Sequence, residues 1–440
     1  MKTKLSIKET LLLSVTMFGL FFGAGNLIFP VHLGQLAGKN VIVATLGFII
    51  TGVTIPILAV ASIGVTHSNG LQRMCEKKVG KKFAYFFTSL LYLTIGPFFA
   101  IPRCCTTTFT SGVYPLLGNY NEKIVLLVFS FVFFVLVLYF SLKPNEIMKW
   151  VGKVITPIFL VFFSILIIVA LSKSNSSIEN IVPYQTYVNN SFINGLLEGY
   201  NTMDAIAGLA FGVIIVNCIR DMQIHDGKLV AIEIIKAGII TALLMSIIYF
   251  ASTIIGAKSR DLFEISENGG IAFAQLAEYY LGNTGLILLA ITIGLACLKT
   301  AIGLVTSCSE AFIKLFPNTL NYKKWTIIFC VFSFIISNFG LTTIIEYSIP
   351  VLMFLYPIAM ILIVLGIFSY RTENKTVFRC TLVGTIFAAI FDFIKTLPFS
   401  IDISFISKIL PLFDLGFSWI LPSFIGLIIG LILDYKKKAK

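Results

Sequence analysis

The sequence predicts an all-α polytopic membrane protein with twelve transmembrane helices, and three observations predict it. Of 440 residues, 57% are hydrophobic and only 12% charged, with a mean hydropathy of +0.95. A soluble protein carries roughly 25% charged residues, so this composition cannot clothe a water-facing surface. The apolar residues come in continuous runs, such as Ile124 to Phe140, and not in the alternation of a transmembrane β-barrel. The Lys and Arg residues segregate by loop. A soluble multidomain enzyme, a disordered chain and a disulfide-stapled secreted protein are excluded.

A hydrocarbon core about 30 Å thick needs roughly 20 apolar residues as helix. Twelve stretches meet that need, at about 10–32, 40–63, 83–113, 123–142, 147–171, 197–218, 228–257, 283–313, 325–340, 342–368, 377–397 and 411–433. The first ends in a Gly/Asn/Pro cluster and not at a small-residue cleavage site, so no cleavable signal is expected. With the N-terminus in the cytoplasm, 24 of the 33 Lys and Arg fall in cytoplasmic segments, 8 in outer ones, and Lys299 lies within a span. Cytoplasmic loops carry excess Lys and Arg, so both termini are placed inside. Trp150 and Trp325, at inner helix starts, suit an interfacial belt. The net charge of +12 is spread over seven cytoplasmic segments, which leaves no basic patch for nucleic acid. The longest outer loops, 172–196 and 258–282, are too short for independent folding, so residues 1–440 read as a single transmembrane domain. The eight cysteines lie mostly in or beside spans without metal-ligand spacing and read as packing residues. Cys104 and Cys105 are adjacent, which disfavours a disulfide between them. His32, His67 and His225 are isolated and form no zinc or catalytic constellation.

Two spans are interrupted. The first carries Gly23-Ala24-Gly25-Asn26 near its middle, and the sixth carries Tyr200-Asn201-Thr202-Met203-Asp204. Each Gly or polar residue weakens a helix by up to about 1 kcal/mol, and Gly lets backbone approach a ligand. Spans one and six occupy the same place in two successive sets of five. Interrupted spans in corresponding positions point to the binding site of an inverted-repeat transporter. Glycines in membrane helices also serve close packing. The Gly-x-Gly is no dinucleotide motif, because it lies in an apolar span with no preceding strand.

Gly23-Ala24-Gly25-Asn26-Leu27-Ile28-Phe29-Pro30 resembles the first-helix signature of the branched-chain amino acid:cation symporters, the bacterial transport system II carriers. So do Gly96-Pro97-Phe98-Phe99-Ala100-Ile101-Pro102-Arg103, and Gly199 to Asp204 followed by Phe211-Gly212-Val213-Ile214-Ile215-Val216-Asn217. The likeness continues through Ala296-Cys297-Leu298, Thr300-Ala301-Ile302-Gly303-Leu304, Ser337-Asn338-Phe339-Gly340-Leu341, Pro350-Val351-Leu352 and Tyr356-Pro357, in order over essentially the whole chain. The resemblance implies secondary active uptake of leucine, isoleucine and valine with Na+ or H+ by alternating access, in the bacterial cytoplasmic membrane. It implies a leucine-transporter-type 5+5 inverted repeat with broken helices 1 and 6 plus two extra helices. Repeat one would span about 10–171, repeat two about 197–368, and the additional helices about 377–433.

That fold implies that Gly23, Ala24, Gly25 and Asn26 present N–H groups to the substrate carboxylate, with the Asn26 side-chain oxygen available to a cation. Tyr200, Asn201, Thr202, Met203 and Asp204 would face them, with Thr202 and Asp204 toward the ammonium or a cation. Met203, Phe21, Phe22 and Ile206 would contact the aliphatic side chain. Thr306 and Ser307 match a hydroxyl pair that completes a sodium site with the carbonyls of Gly19 and Phe22. No organic cofactor and no obligate protein partner are implied.

Lys299 departs from the family pattern near the middle of its span. Its ammonium could stand in for a cation, pair with Asp204 or Glu346, or face a water-filled path, which leaves Na+ against H+ open. Glu346 is a second departure. Arg103, in the outer part of the third span, could gate the outer vestibule, attract substrate carboxylate or snorkel to the interface. Asp392 and Lys395, three apart near an outer helix end, read as an interfacial ion pair. An intramembrane enzyme would need a catalytic set that the spans lack. A sensor that binds amino acids without flux, and a carrier of another neutral amino acid in the amino acid–polyamine–organocation superfamily, are the alternatives.

Overall fold

The computed structural model describes residues 2–66, 70–117, 120–142, 156–173, 177–368, 375–399 and 401–438. Trp150, Lys143, Lys149, Lys153, His67, Arg371 and the start of the span expected at 147–171 lie outside them. Among the described residues the structure is helical and contains no strand.

The helices run in order as α1 (Ile7–Phe21), α2 (Ala24–Ala37), α3 (Val41–Ile49), α4 (Ile55–Val65), α5 (Leu71–Lys78), α6 (Lys81–Leu93), α7 (Ala100–Thr108), α8 (Tyr114–Leu117) and α9 (Glu122–Ser141). They continue as α10 (Thr156–Lys173), α11 (Ser191–Tyr200), α12 (Asp204–Asp221), α13 (Gly227–Lys258), α14 (Gly269–Leu315), α15 (Tyr322–Ser337), α16 (Leu341–Phe368), α17 (Lys375–Lys395) and α18 (Ile420–Lys438). Helix falls on each of the twelve expected segments. Among the described residues, seven helical stretches are long and apolar enough to cross a membrane, or eight when α11 and α12 count as one bent span. The first span divides into pieces of 15 and 14 residues, each short of the roughly 20 a span needs.

π-helical turns at 50–54, 94–98 and 109–113 loosen the second and third spans. Gly282, at φ +60°, separates a short leading helix from the span expected at 283–313. Close helix crossings rest on glycine. At α2–α13, a side chain at Gly34 would overlap the Thr253 carbonyl, and one at Gly256 the Val31 carbonyl. At α3–α11, Gly47 and Gly195 stand in the same reciprocal relation to the carbonyls of Phe192 and Ala44. Such small-residue contacts let backbones pack where lipid supplies no hydrophobic drive. Large side chains such as Ile124, Phe131, Leu243 and Ile247 point outward, as lipid contact requires. All eight cysteines are free, and six are buried.

Candidate functional site

The first break begins where α1 runs out of helix-compatible partners. The Phe22 N–H still reaches the Phe18 carbonyl, at 2.8 Å. Gly23 then takes extended backbone (φ −129°, ψ −158°), and its N–H donates to Asn26 Oδ1 at 3.0 Å. In a continuous helix that N–H would have bonded the Gly19 carbonyl. Asn26 thus caps α2 from inside its first turn, while its Nδ2 donates to Asp204 Oδ2 at 2.5 Å and to the Tyr249 hydroxyl. The glycines are needed for space: a Cβ on Gly23 would lie 3.2 Å from the Thr300 side chain, and one on Gly25 would lie 2.9 Å from Arg103 Nη2.

The second break is held differently. α11 ends at Tyr200, α12 starts at Asp204, and their axes differ by 43°. Met203 between them is left-handed (φ +65°, ψ 9°), a conformation that costs a non-glycine residue roughly 1–2 kcal/mol. The turn exposes the carbonyls of Asn201 and Thr202, and Arg103 collects both: Nη1 donates to Asn201 O at 2.6 Å and Nη2 to Thr202 O at 3.3 Å. The guanidinium also lies over the Phe29 ring, 5.1 Å from its centroid. Thr202 Oγ1 donates to the Gly199 carbonyl at 2.9 Å and accepts from the Asp204 N–H at 3.3 Å. Tyr200 stacks on Tyr356 with centroids 4.2 Å apart.

Between the breaks is a cavity of about 30 Å³, room for about two water molecules. Gly23, Ala24, Gly25, Asn26, Thr202, Asp204, Arg103 and Thr300 supply its polar wall. The first N–H groups of a helix have no intrahelical partner, and the helix dipole adds positive potential, so the start of α2 favours an anion. Leu20, Phe21, Ile95, Met203, Ala207, Phe211 and Leu304 supply the apolar wall. A second pocket of about 380 Å³ follows the same helix faces toward Arg73, Glu76, Glu310 and Lys314. Tyr92 lines it, with its hydroxyl 3.4 Å from the Ala210 carbonyl.

The structure therefore brings Gly23, Ala24, Gly25 and Asn26 together with Thr202, Met203 and Asp204. Asn201 joins them through its carbonyl, and Tyr200 is buried behind them. Phe21 and Met203 line the cavity, whereas Phe22 packs among Phe18, Phe163 and Tyr249 and Ile206 is buried outside the lining. Of the expected hydroxyl pair, Ser307 lines the second pocket. The α14 hydroxyl that meets Gly23 belongs to Thr300, six residues or about 9 Å of helix away from Thr306. Lys299 is buried beside Thr300, and Glu346 is exposed in the second turn of α16.

Three expectations change. Arg103 is only 3% exposed and sits at the cavity, so interfacial snorkelling does not describe it; the two carbonyls of the second break draw it inward. An exposed Glu346 is no buried partner for Lys299. Lys395 donates to the carbonyls of Phe413 and Asp414, both at 2.9 Å, and not to Asp392, which is fully buried.

Two site residues went unread in the sequence. Tyr249 lies in an uninterrupted helix and carries no local signal. Thr300 was legible in part, since it neighbours the midplane Lys299 and so stands level with the breaks.

Comparison with known proteins gives the family and the fold. Residues 6–437 match the family described as branched-chain amino acid transport protein. The chain is 46% identical to the branched-chain amino acid permease BrnQ of Lactobacillus delbrueckii subsp. lactis, over 96% of each chain. It is 40% identical to the Bacillus subtilis permease of that name, over 99% of this chain and 98% of the other. It is 35% identical to the branched-chain amino acid transport system 2 carrier protein of Pseudomonas aeruginosa, over 97% and 96%. Among solved structures it resembles Mhp1, a nucleobase-cation-symport-1 family transporter, with TM-score 0.62 and 14% identity over 96% of this chain and 91% of that one. MhsT, solved with L-phenylalanine, gives 0.59 and 16% over 97% and 98%. At such identities the likeness establishes the fold alone. These are multi-pass membrane transporters and not enzymes, and this chain belongs to the branched-chain amino acid transport protein family.

Proposed function

We propose that this chain is a secondary active carrier for leucine, isoleucine and valine, driven by Na+ or H+ and working by alternating access in the bacterial cytoplasmic membrane. The observation that carries this reading is one cavity walled by two broken helices, polar on one side and apolar on the other. The N–H groups at the start of α2 receive the substrate carboxylate. Asp204 and the Thr202 hydroxyl receive the ammonium. Phe21, Met203, Ala207, Phe211 and Leu304 take the branched side chain. Apolar contact separates substrates that differ by one methylene by only about 1–3 kcal/mol, so shared use by the three amino acids follows. The names of the relatives support that substrate class.

The whole chain acts as a single transmembrane domain of twelve spans, in two five-helix repeats with two added helices. Both termini are cytoplasmic, which makes the second pocket, with Arg73 and Lys314, the cytoplasmic path. The 30 Å³ cavity is smaller than a leucine, so substrate entry requires the breaks to move apart. For the coupling ion, the carbonyls of Gly19 and Phe22 offer the hard oxygen ligands that Na+ requires. Thr306 and Ser307 are the candidate hydroxyls, Thr300 beside Gly23 is a further one, and Lys299 beside it favours H+ as the alternative.

The test is purified protein in proteoliposomes with labelled leucine, with and without Na+ and a pH gradient, competed by valine and isoleucine. Counterflow and competition by both are expected. Saturable binding without flux would make the protein a sensor and overturn the carrier reading. Strict Na+ dependence would remove the H+ alternative.

A further inference from the structure

Asp392 is a buried ionisable group that the transport site leaves unused. It lies on α17, is 0% exposed, and neither carboxyl oxygen has a hydrogen-bond partner. Asp204, by contrast, accepts a bond from Asn26. The nearest cation on its own helix, Lys395, is turned away to the carbonyls of Phe413 and Asp414 and lies over the Phe413 ring at 4.9 Å. Ser418, from the segment before α18, flanks Asp392 but directs its hydroxyl to the Ala388 carbonyl at 3.2 Å. From α11 comes the phenol of Tyr200, and α16 contributes Tyr356 stacked on it. Asp414 is the remaining charge, and it sits beside Lys395.

An ionised carboxylate whose oxygens complete no hydrogen bond, with only the Ser418 N–H and hydroxyl and the displaced Lys395 ammonium nearby, is strongly disfavoured in a protein interior. A neutral carboxylic acid is the form that this pocket accommodates. Ionisation would place a negative charge beside Tyr200, at the C-terminal end of α11, where the helix dipole is itself negative. That charge would loosen the packing of Tyr200 on Tyr356 and Phe417, three residues before the left-handed Met203. We infer that Asp392 is a proton-binding site in the membrane, linked to the second helix break through Tyr200. By linkage, a proton held only in one arrangement of α11 biases the protein toward that arrangement. The link to transport rests on the carrier reading above; the presence of the proton does not.

The experiment uses the full chain in nanodiscs, treated with dicyclohexylcarbodiimide, which adds to protonated carboxyls in apolar surroundings to leave a stable acylurea. Peptide mass spectrometry should find Asp392 modified near neutral pH, with modification falling as pH rises to about 9. In parallel, Asp392→Asn, a neutral isostere, is compared with wild type for leucine uptake in proteoliposomes across the same range. Uptake by wild type should fall with rising pH, and the variant's profile should be flat. Absence of Asp392 labelling in wild type at every pH overturns the proton site, whatever the flux and whether or not the variant folds. Labelling with an unchanged pH profile in Asp392→Asn overturns the link to α11. Labelling with no leucine flux in wild type sinks the carrier reading and leaves the proton site standing.

Discussion

The two breaks that build the site solve the same problem by different means. The first is self-contained. Gly23 supplies the conformation and Asn26, three residues on, accepts its N–H, so the bend itself is held from within a stretch of four residues. The second depends on a foreign side chain. Its carbonyls at Asn201 and Thr202 are taken up by Arg103 from α7, and Met203 is held left-handed with no glycine to ease it. A break that caps itself can keep its shape while its surroundings move. A break held from a neighbouring helix keeps its shape only while that neighbour stays. The difference predicts that the first is the fixed reference and the second the part that responds.

Asp204→Ala should have the largest effect, because Asp204 is the polar contact from the second break to the first through Asn26. Concentrative leucine uptake should be abolished, measured as initial rates in proteoliposomes matched for protein content. Normal driven uptake by this variant would remove Asp204 from the site. Arg103→Met comes next. It withdraws two charge-assisted hydrogen bonds, each worth about 1.5–3 kcal/mol, and should lower uptake by about 100-fold. Arg103→Lys keeps the charge without the planar fork and should recover only a small part. Uptake within about threefold of wild type in Arg103→Met would show that the second break is as self-sufficient as the first.

Tyr249→Phe should be milder. It removes one donor–acceptor partner of Asn26 and leaves the Gly23 and Asp204 bonds, so a loss near 1 kcal/mol, or about fivefold in leucine affinity, is expected. Isothermal titration would read it, and a hundredfold loss would make the first break as dependent on neighbours as the second. The smallest effect belongs to Glu9, outside the spans. Its carboxylate is held down to about 2, first by the Lys2 ammonium at 2.7 Å, then by the Ser6 N–H and hydroxyl. Because the folded value is depressed, the stabilisation is complete above about 4.5 and is lost as pH falls toward about 2. Glu9→Gln should lower the unfolding midpoint of the solubilised protein by at most about 2 °C at pH 7 and leave it unchanged near pH 2.

The breaks were legible because Gly, Asn and Asp stand out within apolar runs, and the composition made the helical class plain. What escaped was long-range. Asn26 reads locally as a cap, but its bond to Tyr249 spans 223 positions. Arg103 reads from its place in a span as an outer gate, a carboxylate contact or an interfacial snorkel, and only the carbonyls of another helix show why it turns inward. Asp392 and Lys395 have the spacing of an ion pair, yet two loop carbonyls compete for the ammonium and win.

The reciprocal glycine crossings have a mechanical consequence. Where each of two helices presses a glycine onto the other's carbonyl, sliding by one residue would drive a side chain into backbone, so the pair is locked in register like meshed gear teeth. α2 is locked to α13, and α3 to α11. Half of each broken span is therefore geared to a partner, while α1 and α12 have no such lock to those partners. Any stroke that opens the cavity should carry α2 with α13 and α11 with α3 as paired levers, and the bending should fall at Met203.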